Sequence, residues 1–157
     1  MKYILLLFSI ILVLGCTSTQ FSGMAIANGD NISVDYTGSL EDGTVFDSSL
    51  GRGPLEFSAG SGRMIRGFDA AVIGMHVGEE KNVTIKPEDA YGPYNTSYIV
   101  EVSIGNIPDN AKVGDTLYSG SRSVHVIQIG NETAMLDANH PLAGKTLIFK
   151  IRIVKIN

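Results

Sequence analysis

The chain has 157 residues, with 12 Lys and Arg against 16 Asp and Glu, a net charge of −4, and 44% hydrophobic and 18% charged side chains. That length holds one compact domain plus at most a small second unit, and the composition is globular rather than disordered. The absence of a basic stripe argues against a nucleic-acid partner, and a single Cys excludes an internal disulfide framework.

The N-terminus reads as an address. Met1-Lys2 is a short basic start, residues 3–15 are an almost unbroken apolar run, and Cys16 follows. Thirteen residues are too few to span a bilayer comfortably but suit the apolar core of a signal peptide. Val13-Leu14-Gly15-Cys16 resembles a lipobox, which implies a signal peptide over 1–16 and lipidation of Cys16. Ordinary cleavage after Ala25-Ile26-Ala27 is the alternative. Either route exports the chain; the first tethers it to the membrane by a lipid anchor, on the extracytoplasmic face. Residues 17–29, rich in Ser, Thr and Gly, read as a tether. Asn31, Asn82, Asn95 and Asn131 stand in glycosylation sequons, which chance spacing explains equally well.

Eighteen Gly and few helical patterns favour a β-rich fold. In residues 31–40, Ile32, Val34 and Tyr36 alternate as in a half-buried strand. Glu41-Asp42-Gly43 is a turn signal before an extended segment at 44–47, so a hairpin is expected. Leu55-Glu56-Phe57 is a short strand. Ile65, Phe68, Val72 and Met75 fall near helical spacing, giving one short amphipathic helix over 64–75. Another strand follows at 81–85, and Pro87-Glu88-Asp89-Ala90 can form a helical turn. At the C-terminal end Leu147, Phe149, Ile151 and Ile153 face one way, Lys150 and Arg152 the other. One short helix against an antiparallel sheet is an α+β fold. Between Asn95 and Asn139 four more short strands are expected, at 99–104, 115–118, 123–129 and 133–137. They make a small, mainly β unit over 96–138, inserted into a domain formed by 30–95 and 139–157.

Familiar chemistries are missing: no Walker loop, no Cys-x-x-Cys, no His-Glu-x-x-His. Gly60-Ser61-Gly62 lacks the dinucleotide spacing and reads as a strand-to-helix turn. His76, His125 and His140 are scattered without metal-ligand spacing, so no metal and no cofactor is expected.

What remains is Val34-Asp35-Tyr36-Thr37-Gly38, then Leu40-Glu41-Asp42-Gly43-Thr44-Val45-Phe46-Asp47-Ser48-Ser49, Met64-Ile65-Arg66-Gly67-Phe68, Ala90-Tyr91-Gly92 and Leu147-Ile148-Phe149. In this order the motifs closely resemble the FKBP-type peptidyl-prolyl cis/trans isomerases, from about Gly29 to Asn157. The unit placed after Tyr91-Gly92-Pro93, in the flap, is similar to the SlyD-like subgroup, whose inserted domain is a chaperone. The resemblance implies rotation of X-Pro bonds in unfolded or partly folded proline-containing polypeptides of the exported kind, with the insert holding clients. A non-catalytic holdase or a surface binding module of the same fold stays open beside it.

The resemblance also implies a proline pocket lined or bordered by Tyr36, Phe46, Leu55, Met64, Ile65, Phe68, Tyr91 and Phe149. Phe68 stands where many relatives have Trp, which implies a looser floor. The Ile65 N–H and the Tyr91 hydroxyl are the implied donors to substrate carbonyls. Asp47 belongs at the rim, held by Tyr36 or Arg52, and Leu55, Met64 and Leu142 are implied substrate contacts. For Phe57 and Phe149, core packing and pocket lining are equally open. Such a cup suits the reaction. The barrier of about 18–20 kcal/mol is amide resonance, a dry pocket withholds the solvation that favours the planar form, and each tenfold acceleration needs only about 1.4 kcal/mol.

Overall fold

The computed structural model describes residues 23–157 apart from residue 121. The signal segment 1–16 with Cys16, and the tether's first part at 17–22, lie outside the described residues. Two antiparallel sheets form among the described residues. In the first, β1 (Asn31–Leu40), β2 (Val45–Ser48), β3 (Leu55–Ser58), β4 (Glu80–Ile85) and β9 (Leu147–Ile156) run in the order β2-β1-β9-β4, with β3 also on β1. Ten residues make β1 long enough to carry two partners in succession along one edge. Asn31–Val34 pair with β3 and Thr37–Ser39 with β2, while the other edge pairs with β9 throughout.

The alternation in β9 decides which face is covered. Leu147, Phe149, Ile151 and Ile153 are buried, Lys150 and Arg152 exposed. The buried face receives the helix α1 (Arg66–Val72) through Phe68, Ala71 and Val72. Gly67 lets the helix sit close, since a Cβ there would lie 2.4 Å from Ile85 Cγ2 on β4. α1 is shorter than the spacing predicts. Ile73 is already extended, and Gly74 at φ +81° turns the chain back. Met75 is buried from outside the helix.

That turn also corrects the tether. Gly74 N–H donates to Ile26 O at 2.9 Å and Ile26 N–H to Met75 O at 2.8 Å. Ile26 is only 2% exposed and belongs to the core, a burial worth about 1.5–3 kcal/mol. The folded part therefore includes Ile26, inside the stretch read as tether. The short run Met24-Ala25-Ile26-Ala27 carries no strand or helix periodicity to reveal this.

The second sheet is built from β5 (Ile99–Ser103), β6 (Thr116–Ser119), β7 (Arg122–Ile129) and β8 (Thr133–Asp137), in the order β5-β8-β7-β6. It has its own cluster of Ile107, Val126, Ala134 and Leu136. Tyr98, Val100, Tyr118 and Ile127 remain exposed. The chain passes between the sheets twice, and the buried Asn139 fastens the two passages. Its Oδ1 accepts from Asn95 N–H at 3.0 Å and its Nδ2 donates to Asn95 O at 2.9 Å, as a paired strand would. Asp137 accepts from Asn139 N–H and Nδ2 and from the Tyr94 hydroxyl. Partial burial pushes Asp137 up, but these hydrogen bonds outweigh it and hold the carboxyl below its usual range.

The turn at Gly60-Ser61-Gly62 is held from α1. Asp69, buried, accepts from Gly60 N–H at 2.6 Å and Gly62 N–H at 2.8 Å. The loop's donors are thus filled by the chain's own carboxylate.

Candidate active site

Between β2 and β3 the ladder on β1 breaks at Tyr36, and Ser48 and Ser49 repair it. Tyr36 N–H donates to Ser49 Oγ at 3.0 Å, and Ser49 N–H and Ser48 Oγ donate to Tyr36 O at 3.0 and 3.1 Å. Tyr36 is thereby fixed with its ring edge-on to Phe68, centroids 5.9 Å apart. Its hydroxyl donates to Asp47 Oδ2 at 2.6 Å. Arg52, from the loop that follows β2, donates to Asp47 Oδ1 and to Ser48 O. Both of the holders considered for Asp47 are in place. The Tyr36 hydroxyl, reinforced by Arg52, holds the Asp47 carboxyl below its usual range. Burial, with the Asp47 contact, pushes the Tyr36 hydroxyl up. Asp47 is a fixed negative charge with both oxygens engaged, not a proton carrier.

Phe68 is the centre of the ring cluster. It meets Phe149 at 5.1 Å nearly perpendicular and Phe57 at 5.9 Å, and Phe149 meets Phe46 at 5.6 Å edge-on. Such edge contacts add to the burial of the rings. Gly38 makes room for them: a Cβ there would fall 2.7 Å from Phe46 and 2.8 Å from Phe149.

At the start of α1, Ile65 is the residue before the first helical turn, and its N–H makes no hydrogen bond among the described residues. The first N–H groups of a helix have no partner within it, so this one is left available as a donor. Tyr91 follows the 3₁₀ turn Pro87–Asp89. Arg66 straps that turn to α1, donating to Asp89 Oδ1 and Glu88 O. The Tyr91 hydroxyl is likewise without a hydrogen bond among the described residues.

These elements close on a cavity of about 280 Å³ lined by Tyr36, Phe46, Asp47, Leu55, Arg63, Met64, Ile65, Phe68, Tyr91 and Phe149. It is at the small end for ligand pockets and suits a ring-sized group. Larger hollows at the neck between the sheets (about 550 Å³) and beside the 60–62 turn (about 670 Å³) lack a buried ring floor. Of the residues the motifs point to, only Leu142 is away from the lining; it packs against the core cluster instead. Phe149 lines the cavity, while Phe57 is core, supporting Phe68 from behind. Sequence reasoning missed Arg63, which reaches the rim because the 60–62 turn brings it there. It also missed Gly38 and Gly67, whose value lies in contacts with distant residues.

The arrangement suits binding an apolar group rather than moving protons: an aromatic cup bordered by Ile65 and Tyr91, whose N–H and hydroxyl have no hydrogen-bond partner among the described residues, and one fixed carboxylate.

Residues 23–154 match the family described as FKBP-type peptidyl-prolyl cis-trans isomerase. The chain belongs to that family of enzymes. It is 38% identical over 136 residues to the FKBP-type peptidyl-prolyl cis-trans isomerase SlyD of Aeromonas hydrophila, covering 83% of this chain and 64% of that protein. The SlyD of Treponema pallidum (strain Nichols) is also 38% identical over 136 residues, covering 83% and 77%. A protein named short-type peptidyl-prolyl cis-trans isomerase, from Methanocaldococcus jannaschii, is 37% identical over 146 residues, covering 82% and 92%. The chain thus spans just under two thirds of the Aeromonas protein.

Proposed function

We propose that this chain accelerates X-Pro rotation in unfolded or partly folded exported polypeptides, and that its second sheet holds them near the cavity. The observation that carries the first part is the ring-lined cavity bordered by Ile65 and Tyr91, whose N–H and hydroxyl are unpartnered among the described residues. A proline ring fills the cup, and carbonyls on either side of it meet those donors. The dry walls favour the twisted amide over the planar one. Phe46→Ala or Tyr91→Ala should cut the isomerisation rate on a short peptide strongly while leaving the protein folded. If both match the unsubstituted chain, the cavity is not the site and the non-catalytic holdase becomes the better reading.

The client-holding part is supported by exposed Tyr98, Val100, Tyr118 and Ile127, and by β5 and β6, each with one edge unpaired among the described residues. An extended segment could add to such an edge with little demand for sequence. Held there, its prolines would be at high local concentration beside the cavity. Replacing residues 96–138 with a short Gly-containing flap should leave peptide isomerisation largely intact while catalysis of a proline-limited refolding reaction falls steeply. Equal loss on both substrates, or none on either, would sink client capture.

Location is proposed from the N-terminal address: export, with Cys16 lipidated and the domain held at the extracytoplasmic face of the cell membrane. The burial of Ile26 supports Cys16 as the processing point, because cleavage after Ala27 would strip that residue from the core. Cys16→Ser should release the protein or block its processing. A mature N-terminus at Asn28 by mass spectrometry would refute lipidation.

A further inference from the structure

Tyr91 carries one of the two free donors at the cavity, yet its residue is 41% exposed and sits on a loop. A ring so placed turns over its rotamers freely unless something fixes it. What fixes it is His140. The two rings are stacked, planes within 3° and centroids 3.8 Å apart. His140 is itself seated: its Nδ1 accepts from Leu142 N–H at 3.1 Å, and its carbonyl accepts from Ala143 N–H at 2.8 Å. The preceding residue, Asn139, is the buried clamp between the sheets. Since Nδ1 accepts, the ring is neutral with its proton on Nε2.

We infer that His140 is a positioning residue for the proposed reaction, holding Tyr91 so that its hydroxyl stays over the cavity, and that protonation of His140 releases this hold. The inference rests on the isomerase reading of the cavity. A charged ring presents a donor at Nδ1 to the Leu142 N–H, also a donor, so it cannot keep its seat. His140 is exposed, and what desolvation it has acts in the same direction, holding it below the usual imidazole range. The titratable groups around it are Tyr91, stacked on it, and Tyr94, His125, Asp137 and Lys145, which line the same neck cavity. Asp137 is already engaged by Tyr94 and Asn139. A folded-state value below the unfolded one means the ring is still neutral and the seat intact at the unfolded value of about 6.5, and the seat is lost only as pH falls through the lower folded value.

The test uses the full chain and a short X-Pro peptide. His140→Ala should lower kcat/KM about two- to tenfold at pH 7.5, the range for losing one net hydrogen bond. His140→Phe, which stacks but takes no proton, should recover most of that loss and flatten the fall in rate below about pH 6.5. In a Tyr91→Phe background, where the hydroxyl is gone, His140→Ala should have little further effect. A merely structural role would cost the same in both backgrounds. Independently of catalysis, the Tyr91 ring resonances should follow the His140 titration by NMR, and should be indifferent to pH in His140→Phe. Additive losses in the double-mutant cycle, or Tyr91 resonances that ignore His140, would overturn the inference. A chain without isomerase activity whose Tyr91 resonances still follow His140 would instead reject the isomerase reading, and with it the role given to the hydroxyl.

Discussion

Gly38→Ala tests how the cup is built. Gly38 lies in β1, opposite Asp47 on β2 and Phe149 on β9. Its φ is not in the left-handed region, so an alanine there meets a clash and not backbone strain. The added Cβ would stand 2.7 and 2.9 Å from two atoms of the Phe46 ring and 2.8 Å from Phe149. Carbon atoms pack at about 3.5–4.0 Å, so ring atoms must retreat by roughly 1 Å. Phe149 is 6% exposed and braced by Phe68, whereas Phe46 lies half-buried on an edge strand. Phe46 is therefore the ring that gives way. Such overpacking costs about 1–3 kcal/mol, which for a chain of this size lowers Tm by roughly 2–12 °C. A wall displaced by about 1 Å should also reduce kcat/KM on a short X-Pro peptide by about ten- to a hundredfold. Thermal melts and a peptide isomerisation assay on the same preparation measure both. A variant with unchanged Tm and a rate within about twofold of the parent would refute the claim that this glycine admits the rings.

Asp47→Asn should change little in stability, because the Asp47 and Arg52 side chains are 44% and 62% exposed and pairs of that kind contribute about 0–1 kcal/mol. The Tyr36 hydroxyl and Arg52 depress the Asp47 carboxyl, so its contribution is present above the unfolded value of about 3.9 and lost as pH falls through the lower folded value. Melting curves of parent and variant should therefore converge only below about pH 4 and run parallel from pH 5 to 8. Asn139→Ala removes the side chain that satisfies both Asn95 N–H and O in a buried position. It should cost about 1–3 kcal/mol in urea unfolding, and the Asn95 amide should lose protection from hydrogen exchange.

The elements that could be read from sequence are those whose order is local. The period-two pattern of residues 147–153 sets the buried face of β9, and Gly and Asn turns separate the four strands of the second sheet. Tyr36, Phe46, Phe68 and Phe149 come with family-like motifs, and the structure brings them to one cavity. What the sequence hides depends on residues far apart in the chain. Nothing in Thr37-Gly38 says that two rings from other strands press against that Cα. His140 is indistinguishable from His76 and His125 until the neck carries it onto Tyr91. Ile26 reads as tether because its partners, Gly74 and Met75, lie beyond three intervening strands. The helix ends early because Gly74 must turn the chain back to meet Ile26.

The pairing of β1 with β9 has a consequence for the order in which the protein takes shape. Ser39 Oγ reaches the carbonyl of Ile148, 109 residues along the chain, and β9 also lies between β1 and β4. As the polypeptide emerges from a ribosome, β1, β2 and β3 can meet early, but the middle of their sheet stays empty until the last strand arrives. The second sheet needs no such wait, since β5 to β8 are neighbours in the chain and local contacts form fastest. A complete smaller sheet would then precede the cavity in time, so that the second sheet of a newly made molecule is in place before the ring-lined cavity exists.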